Sequence, residues 1–292
     1  MDMNYPKRRA RRKQRERELD ELPNRAAPTT ASIVSKVPGT HEQIAVLRAA
    51  VTEVDVFGTR RHRAAAHFLI HILTTAPLDD EDDGFVPVPA KAIEKHLRHL
   101  DWQALEDAGI IEIKPFCRVQ RKSREFRASF ELQRAFYEAG PTAERVAKDG
   151  LYDLVSGNPT QARKKSQRRT KSGNPLPKTI RKAIDSVREV PIDTHAIERH
   201  LDRLRRSMDE AEDPTARVTA QGRYFNDLRC YSAVLTQGAR PIDPNDPSGL
   251  WLYRPAYKPQ RFGRVSQIGG GLQSCSTAMK AVAYPPSFPP LL

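Results

Sequence analysis

The sequence predicts a mostly α-helical chain with small β-hairpins, an α+β arrangement of two modest folded segments carrying flexible basic arms. Three observations lead there. The chain has 292 residues, and at roughly 150 residues per domain this suits two modest domains better than one large core. Apolar residues make up 38%, below the roughly 45–50% of an average soluble domain, so part of the chain lies outside any core. The apolar residues recur mainly at spacings of three and four, with only short strand-like runs between turn residues.

Several classes are excluded early. No window approaches the ~18 uninterrupted apolar residues of a membrane span. The amino terminus is charged but has no apolar h-region, so it does not read as a secretory signal. Cys117, Cys230 and Cys275 are far apart and form no C-x-x-C pair, which excludes a disulfide framework or a Cys-rich zinc site and fits a reducing compartment. The expectation is a soluble, cytoplasmic, nucleoid-associated protein.

Charge supplies the first partner. Lys+Arg number 49 against 36 Asp+Glu, a net charge of +13. Residues 7–17 hold eight basic residues and one acid, and residues 163–182 hold nine and none (Arg163, Lys164, Lys165, Arg168, Arg169, Lys171, Lys178, Arg181, Lys182). Together they exceed the whole net charge, so the remainder is slightly negative. Neither run has enough apolar residues to bury, and both read as solvated arms. Ser156-Gly157-Asn158-Pro159 and Ser172-Gly173-Asn174-Pro175 are two turn-forming tetrapeptides that punctuate this second stretch as a linker. Such arms neutralise phosphates; the bland alternative is a solubility or localisation segment. The expected segments are a basic arm over 1–38, a domain over 39–155, a basic linker over 156–185, a helical segment over 186–284 and a Pro-rich tail over 285–292.

Order begins at Thr40-His41-Glu42-Gln43, which has the form of a capping box. Ile44, Leu47, Val51 and Val54 follow at helical spacing, and a second helix runs from about Arg60 to Thr75. The acidic run Asp79 to Asp83 lacks the alternating ligands of a calcium loop and reads as solvated. His67 and His71 are four apart on that helix, but no third ligand accompanies them, so no metal and no cofactor are expected. Pro89 suits the start of a short helix through Ile93 and Leu97. Asp101 can cap another through Trp102, Leu105 and Ala108, closed by Gly109. A strand Ile110–Ile113, a stretch Phe116–Val119, a basic turn and a strand Glu125–Leu132 complete the segment.

Helix, turn, helix, strand, hairpin, strand is the order of a winged helix. Trp102-Gln103-Ala104-Leu105-Glu106-Asp107-Ala108-Gly109-Ile110-Ile111 resembles the recognition helix and first wing strand of that family. Ser123-Arg124-Glu125-Phe126-Arg127 looks like the returning wing of phage and plasmid modules. The resemblance implies a helix in the major groove and a wing on the backbone. The helix carries Asp101, Glu106 and Asp107 and no arginine, which suits a groove poorly. The wing is the better binder, through Arg118, Arg121, Lys122, Arg124 and Arg127, since phosphate contacts supply most affinity. Protein docking is the alternative role of such a module.

Beyond the linker, Asp193 can cap a helix carrying Ile197, Leu201, Leu204 and Met208. Asp213-Pro214 opens another with Val218, Tyr224, Leu228, Tyr231 and Leu235, closed near Gly238. Together they read as an αα-hairpin. Trp251-Leu252-Tyr253 is a strand candidate. Then come Gly263-Arg264, a short strand Val265–Ile268, Gly269 to Gly271, Leu272-Gln273, and a helix from Ser276 to Tyr284 with Lys280 in it. No G-K-[ST] follows the glycines, so this is no Walker loop.

That order resembles the segment of family A DNA polymerases just before their first catalytic aspartate. The resemblance implies that the hairpin over 193–237 corresponds to the thumb, and that Arg264 and Gln273 touch the nucleic-acid backbone and minor groove. Gln260 departs from the Thr or Asp usual there. The family's two metal-binding carboxylates have no counterpart after Asp246, so binding without polymerisation is expected, either by an accessory protein or by a shortened polymerase-like product. The leading expectation is a replication-associated protein on duplex or primed DNA, with other replication proteins open as partners and the oligomeric state undetermined. The alternative is a winged-helix transcriptional or plasmid-copy regulator; a docking adaptor is a third.

Overall fold

The computed structural model describes residues 37–53, 59–75, 84–89, 93–94, 97–114, 123–160, 179, 182, 187–245, 249–255, 257–259, 265–267 and 271–284. They form helices and small antiparallel sheets, a mixed α+β architecture. The chain divides into two compact units. One comprises residues 1–35, 53–76 and 85–129, and the other 36–52, 77–84 and 130–292.

The first unit contains α2 (Thr59–Thr75), β2 (Val86–Pro89), α3 (Trp102–Asp107), β3 (Ile111–Ile113) and β4 (Ser123–Ala128). The three strands form one antiparallel sheet in the order β2-β4-β3. Phe68 of α2 meets Phe126 of β4 edge-on, with ring centroids 4.9 Å apart. Leu69, Val88, Leu97, Leu105 and Ile111 complete a fully buried core, held by apolar area removed from water. The expected cap is present: the Asp101 carboxylate accepts from the Ala104 amide at 3.1 Å. Gly109, at φ +68°, turns the chain out of α3, a conformation that favours glycine.

Two boundaries differ from the sequence expectation. Pro89 ends a strand instead of opening a helix. The Val86-Pro87-Val88-Pro89 run is strand because β2 lies at the sheet edge, where a missing amide is tolerated; Val86 and Val88 turn inward and Pro87 outward. The returning strand stops at Ala128, and Phe130–Leu132 belong to a helix.

The second unit begins with β1 (Pro38–Gly39) and α1 (His41–Glu53), whose last residue lies at the unit boundary. The capping box is complete: Gln43 N donates to Thr40 Oγ1 and Thr40 N to Gln43 Oε1, each at 3.1 Å. Its leftover donors bind α4 (Phe130–Glu138) and the residue after it, through Phe136 O and Ala139 O. Next come α5 (Ala143–Asp149), β5 (Leu151–Asp153) and β6 (Pro159–Thr160), with β1, β5 and β6 in one sheet. No helix was expected over 130–149.

The αα-hairpin is α6 (Thr194–Asp209) and α7 (Pro214–Thr236). Asp193 and Asp213 cap them through Ala196 N and Ala216 N at 2.8 and 2.7 Å, and Pro214 occupies the first turn of α7, where its missing amide costs little. Ile197, Leu201 and Met208 are buried as spaced; Val218 is 66% exposed, because the amino-terminal part of α7, 214–219, is exposed on every side. β7 (Val190–Asp193), β9 (Leu250–Tyr253) and β8 (Arg240–Pro241) form a sheet in the order β7-β9-β8. Its inward residues, Ile192, Trp251 and Tyr253, are almost wholly buried. The strands β10 (Tyr257–Pro259) and β11 (Val265–Gln267) pair as a hairpin, followed by α8 (Gly271–Ser274) and α9 (Thr277–Ala283).

Candidate nucleic-acid interface

Arg118, Arg121 and Lys122, Arg163, Lys164, Lys165, Arg168 and Arg169, and Arg264 lie outside the described residues. Arg124, Arg127, Gln273 and Lys280 lie within them, the first two in one unit and the last two in the other.

On β4 the two arginines face opposite ways, as strand alternation requires. Arg124 is exposed, on the face of Phe126, and its guanidinium lies 4.1 Å from the ring centroid of Trp102 at the start of α3. The indole face fixes the cation without neutralising it. Arg127 is on the other face, bound to Glu112 of β3 and stacked 4.7 Å from the Phe85 centroid. Lys114 is likewise paired with Glu125 at 3.1 Å. That outer face is a ladder of matched charges, so Arg127 is committed there, whereas Arg124 keeps its charge available. On α3, Gln103 donates to both Glu106 and Asp107, so the exposed face of this helix is acidic and internally bonded.

In the second unit Gln273 is held by a reciprocal pair. Gln267 N donates to Gln273 Oε1 at 2.6 Å, and Gln273 N donates to Gln267 Oε1 at 2.8 Å. The buried Gln267 amide nitrogen donates to the Tyr253 hydroxyl, which donates to Gln237 Oε1 at 3.3 Å. Burial raises the Tyr253 phenol far above its ordinary value, so it stays a donor. The turn requires Gly271, at φ +45°: a Cβ there would stand 2.7 Å from Gln267 Cδ and 2.8 Å from the Tyr253 hydroxyl. Gly222, inside α7, has nothing among the described residues beyond its own helix backbone within 4 Å of its missing Cβ.

One substitution therefore has opposite signs at two glycines. Gly271→Ala is expected to cost about 2 kcal/mol through strain and overpacking. Gly222→Ala is expected to add about 0.5–1 kcal/mol through helix propensity. Urea titrations of both variants would show this, and equal effects would refute it.

Lys280 sits half-exposed in the last turn of α9. The segment carrying Gln273 and Lys280 is anchored by Asp227 of α7, which is fully buried. Asp227 Oδ1 accepts from Ser276 N at 2.7 Å, and Oδ2 from Ser276 Oγ at 2.6 Å. His200 Nε2 of α6 lies 2.9 Å from the same Oδ2. Ser276 Oγ also accepts from Met279 N, capping α9. The hydroxyl is thus fully engaged, and the trio is an anchor with no nucleophile poised in it. Burial pushes the Cys230 and Cys275 thiols up to about 12, which keeps both protonated and unreactive. Among the described residues, no three His, Cys, Asp or Glu side chains group to hold a metal.

The sequence singles out Arg124 and Gln273 as candidates without showing what holds them. In sequence Trp102 reads as a residue of the short helix, Gln267 as part of a strand, and His200 and Asp227 carry no signal. Ser276 alone had a visible signal, as a cap before a helix. No family model matches this chain, and no curated protein or solved structure is similar to it.

Proposed function

We propose that this chain is a replication-associated DNA-binding protein that holds duplex or primed DNA mainly through phosphate contacts. The observation that carries the reading is Arg124, an exposed guanidinium laid on the Trp102 ring and paired with no carboxylate among the described residues. It stands at the base of the basic run Arg118–Lys122, where a wing meets the backbone. The reading of residues 85–132 as a winged helix is supported by a capped helix α3, a closing glycine and an antiparallel return β3–β4. The thumb reading of the second unit is supported by the paired helices α6 and α7, whose tip reaches beyond the core. The acidic α3 argues for contacts that follow the backbone instead of base edges.

The test is binding to short duplexes and primer–template junctions at rising salt. Affinity is expected to fall at least about tenfold between 50 and 200 mM, with a shallower slope for Arg124→Ala. Affinity indifferent to salt would overturn the reading. A strong sequence preference together with dimerisation would instead establish the transcriptional or plasmid-copy regulator.

A further inference from the structure

Cations lie over aromatic rings at several places in this chain, and one of them differs from the rest. Lys114 and Arg127 both stand over Phe85, 4.9 and 4.7 Å from its centroid, and each also holds a carboxylate, Glu125 and Glu112. Arg229 stands 5.8 Å from the centroid of buried Tyr137. Arg124 is nearest to its ring, 4.1 Å from the Trp102 centroid, and no hydrogen bond or ion pair holds it among the described residues. A guanidinium is a flat cation whose donors all lie on its rim. The indole, the best aromatic partner for a cation, covers one face of this one. Arg124 is exposed and Trp102 half-buried, so the other face and the rim stay open to solvent. A phosphate contact alone needs only a charge, which a lysine would supply. A flat cation backed by a ring offers a second surface, on which another flat ring can stack.

We propose that the Arg124–Trp102 stack is a binding site for an unpaired DNA base, which lies on the open face of the guanidinium while the rim meets a neighbouring phosphate. The inference rests on the DNA-binding reading above and names the part of the ligand that this site selects. Bases within a duplex turn their faces to one another. A stacking site of this kind is therefore filled only where a strand is unpaired, as beyond the end of a primer. Guanidinium planes and aromatic rings stack bases with little regard to sequence, because every base has a π-face.

The probe is a primer–template whose single-stranded overhang carries either ordinary bases or abasic tetrahydrofuran residues, at equal length and one salt concentration. The two ligands share the same duplex and the same number of phosphates, so the ratio of their affinities for the full chain reads base stacking. The wild type is expected to bind the base-bearing overhang about tenfold more tightly, the effect of one stacked base. Arg124→Lys keeps the charge but loses the plane, and should bring the ratio close to one. Trp102→Leu removes the ring behind the plane and should lower the ratio in the same direction. Because Trp102 is half-buried and its loss can disturb the fold, Arg124→Lys, an exchange at an exposed position, is the deciding variant. Equal wild-type affinities for the two overhangs would overturn the inference and leave the DNA-binding reading standing. So would a preference that Arg124→Lys retains, since the bases would then stack elsewhere on the chain. Failure of the wild type to bind either ligand or a plain duplex would overturn both.

Discussion

Asp227→Ala is expected to destabilise the second unit by about 3–5 kcal/mol, the range for removing one partner of a buried charged network. The carboxylate accepts from three donors on two other segments: the Ser276 amide, the Ser276 hydroxyl and, from α6, His200 Nε2. Truncation leaves buried His200 and half-buried Ser276 without that acceptor, and each buried unpaired group costs about 1–3 kcal/mol. The loss outweighs the benefit of no longer desolvating the carboxylate, because the donors remain when the acceptor is gone. Asp227→Asn is the informative control. Its carbonyl can still accept from Ser276 N, and its amide loses only the contacts at the other oxygen, so the cost should fall to about half. Urea titration followed by Trp251 emission, in a Trp102→Phe background, reads the second unit through a residue of its own buried core. Equal stability of Asp227→Ala and the wild type would mean that Ser276 and His200 find water or other partners, and that this anchor contributes little.

Local features of the fold were legible in the sequence, and for physical reasons. Caps are short-range: Thr40 with Gln43, Asp101 with Ala104, Asp193 with Ala196 and Asp213 with Ala216 each act over three residues. Any reading that knows what an unsatisfied helix amide needs will find them. The helix over 130–138 was less legible, because Phe130-Glu131-Leu132 alternates like a strand and follows β4 with only Ser129 between and no Gly or Pro to mark the break. Only the burial of Leu132, Phe136 and Tyr137 reveals the helical face. The strand at 86–89 was hidden by its two prolines, which an edge position excuses. Val218 kept the helical spacing of its neighbours, yet α7 extends past the elements that cover its later turns, so spacing alone misjudged its burial.

The candidate site was legible in residue type but not in commitment. Arg124 and Arg127 are alike in sequence, three positions apart in one basic run. The structure separates them by strand face, one on an aromatic ring and the other on a carboxylate. Glu112, the residue that makes the difference, lies across β3 at the register position of Arg127. Pairing register cannot be read until the hairpin is known. Gln273 was identified through a resemblance, but its direction depends on Gln267 and, behind it, Tyr253, twenty residues away. Asp227 meets residues twenty-seven and forty-nine positions distant. Long-range polar pairing leaves no periodic trace, which is why the anchor of the segment was invisible.

His71 is expected to make the first unit acid-labile. It lies in the run Phe68–Leu73, every residue of which is buried, and neither ring nitrogen has a hydrogen-bond partner among the described residues. Burial lowers its pKa to about 4 from 6.5. The folded chain therefore keeps His71 neutral down to about pH 4, while the unfolded chain takes up a proton near pH 6.5. Between those values the unfolded state binds more protons, so stability falls as pH falls and is fully present only above pH 6.5. The loss across that window amounts to about 3 kcal/mol. His71→Leu removes the titrating group and the unpaired nitrogens together. At pH 7 it should be at least as stable as the wild type, since a buried polar group without a partner costs about 1–3 kcal/mol. Between pH 7 and 4.5 it should lose markedly less stability. Urea titrations of both proteins at the two pH values give the comparison as a difference of differences, which cancels every other titrating group they share. An identical acid loss in the variant would show that His71 gains a partner on protonation, by water entry or by movement of α2, and that its burial is not what limits the fold in acid.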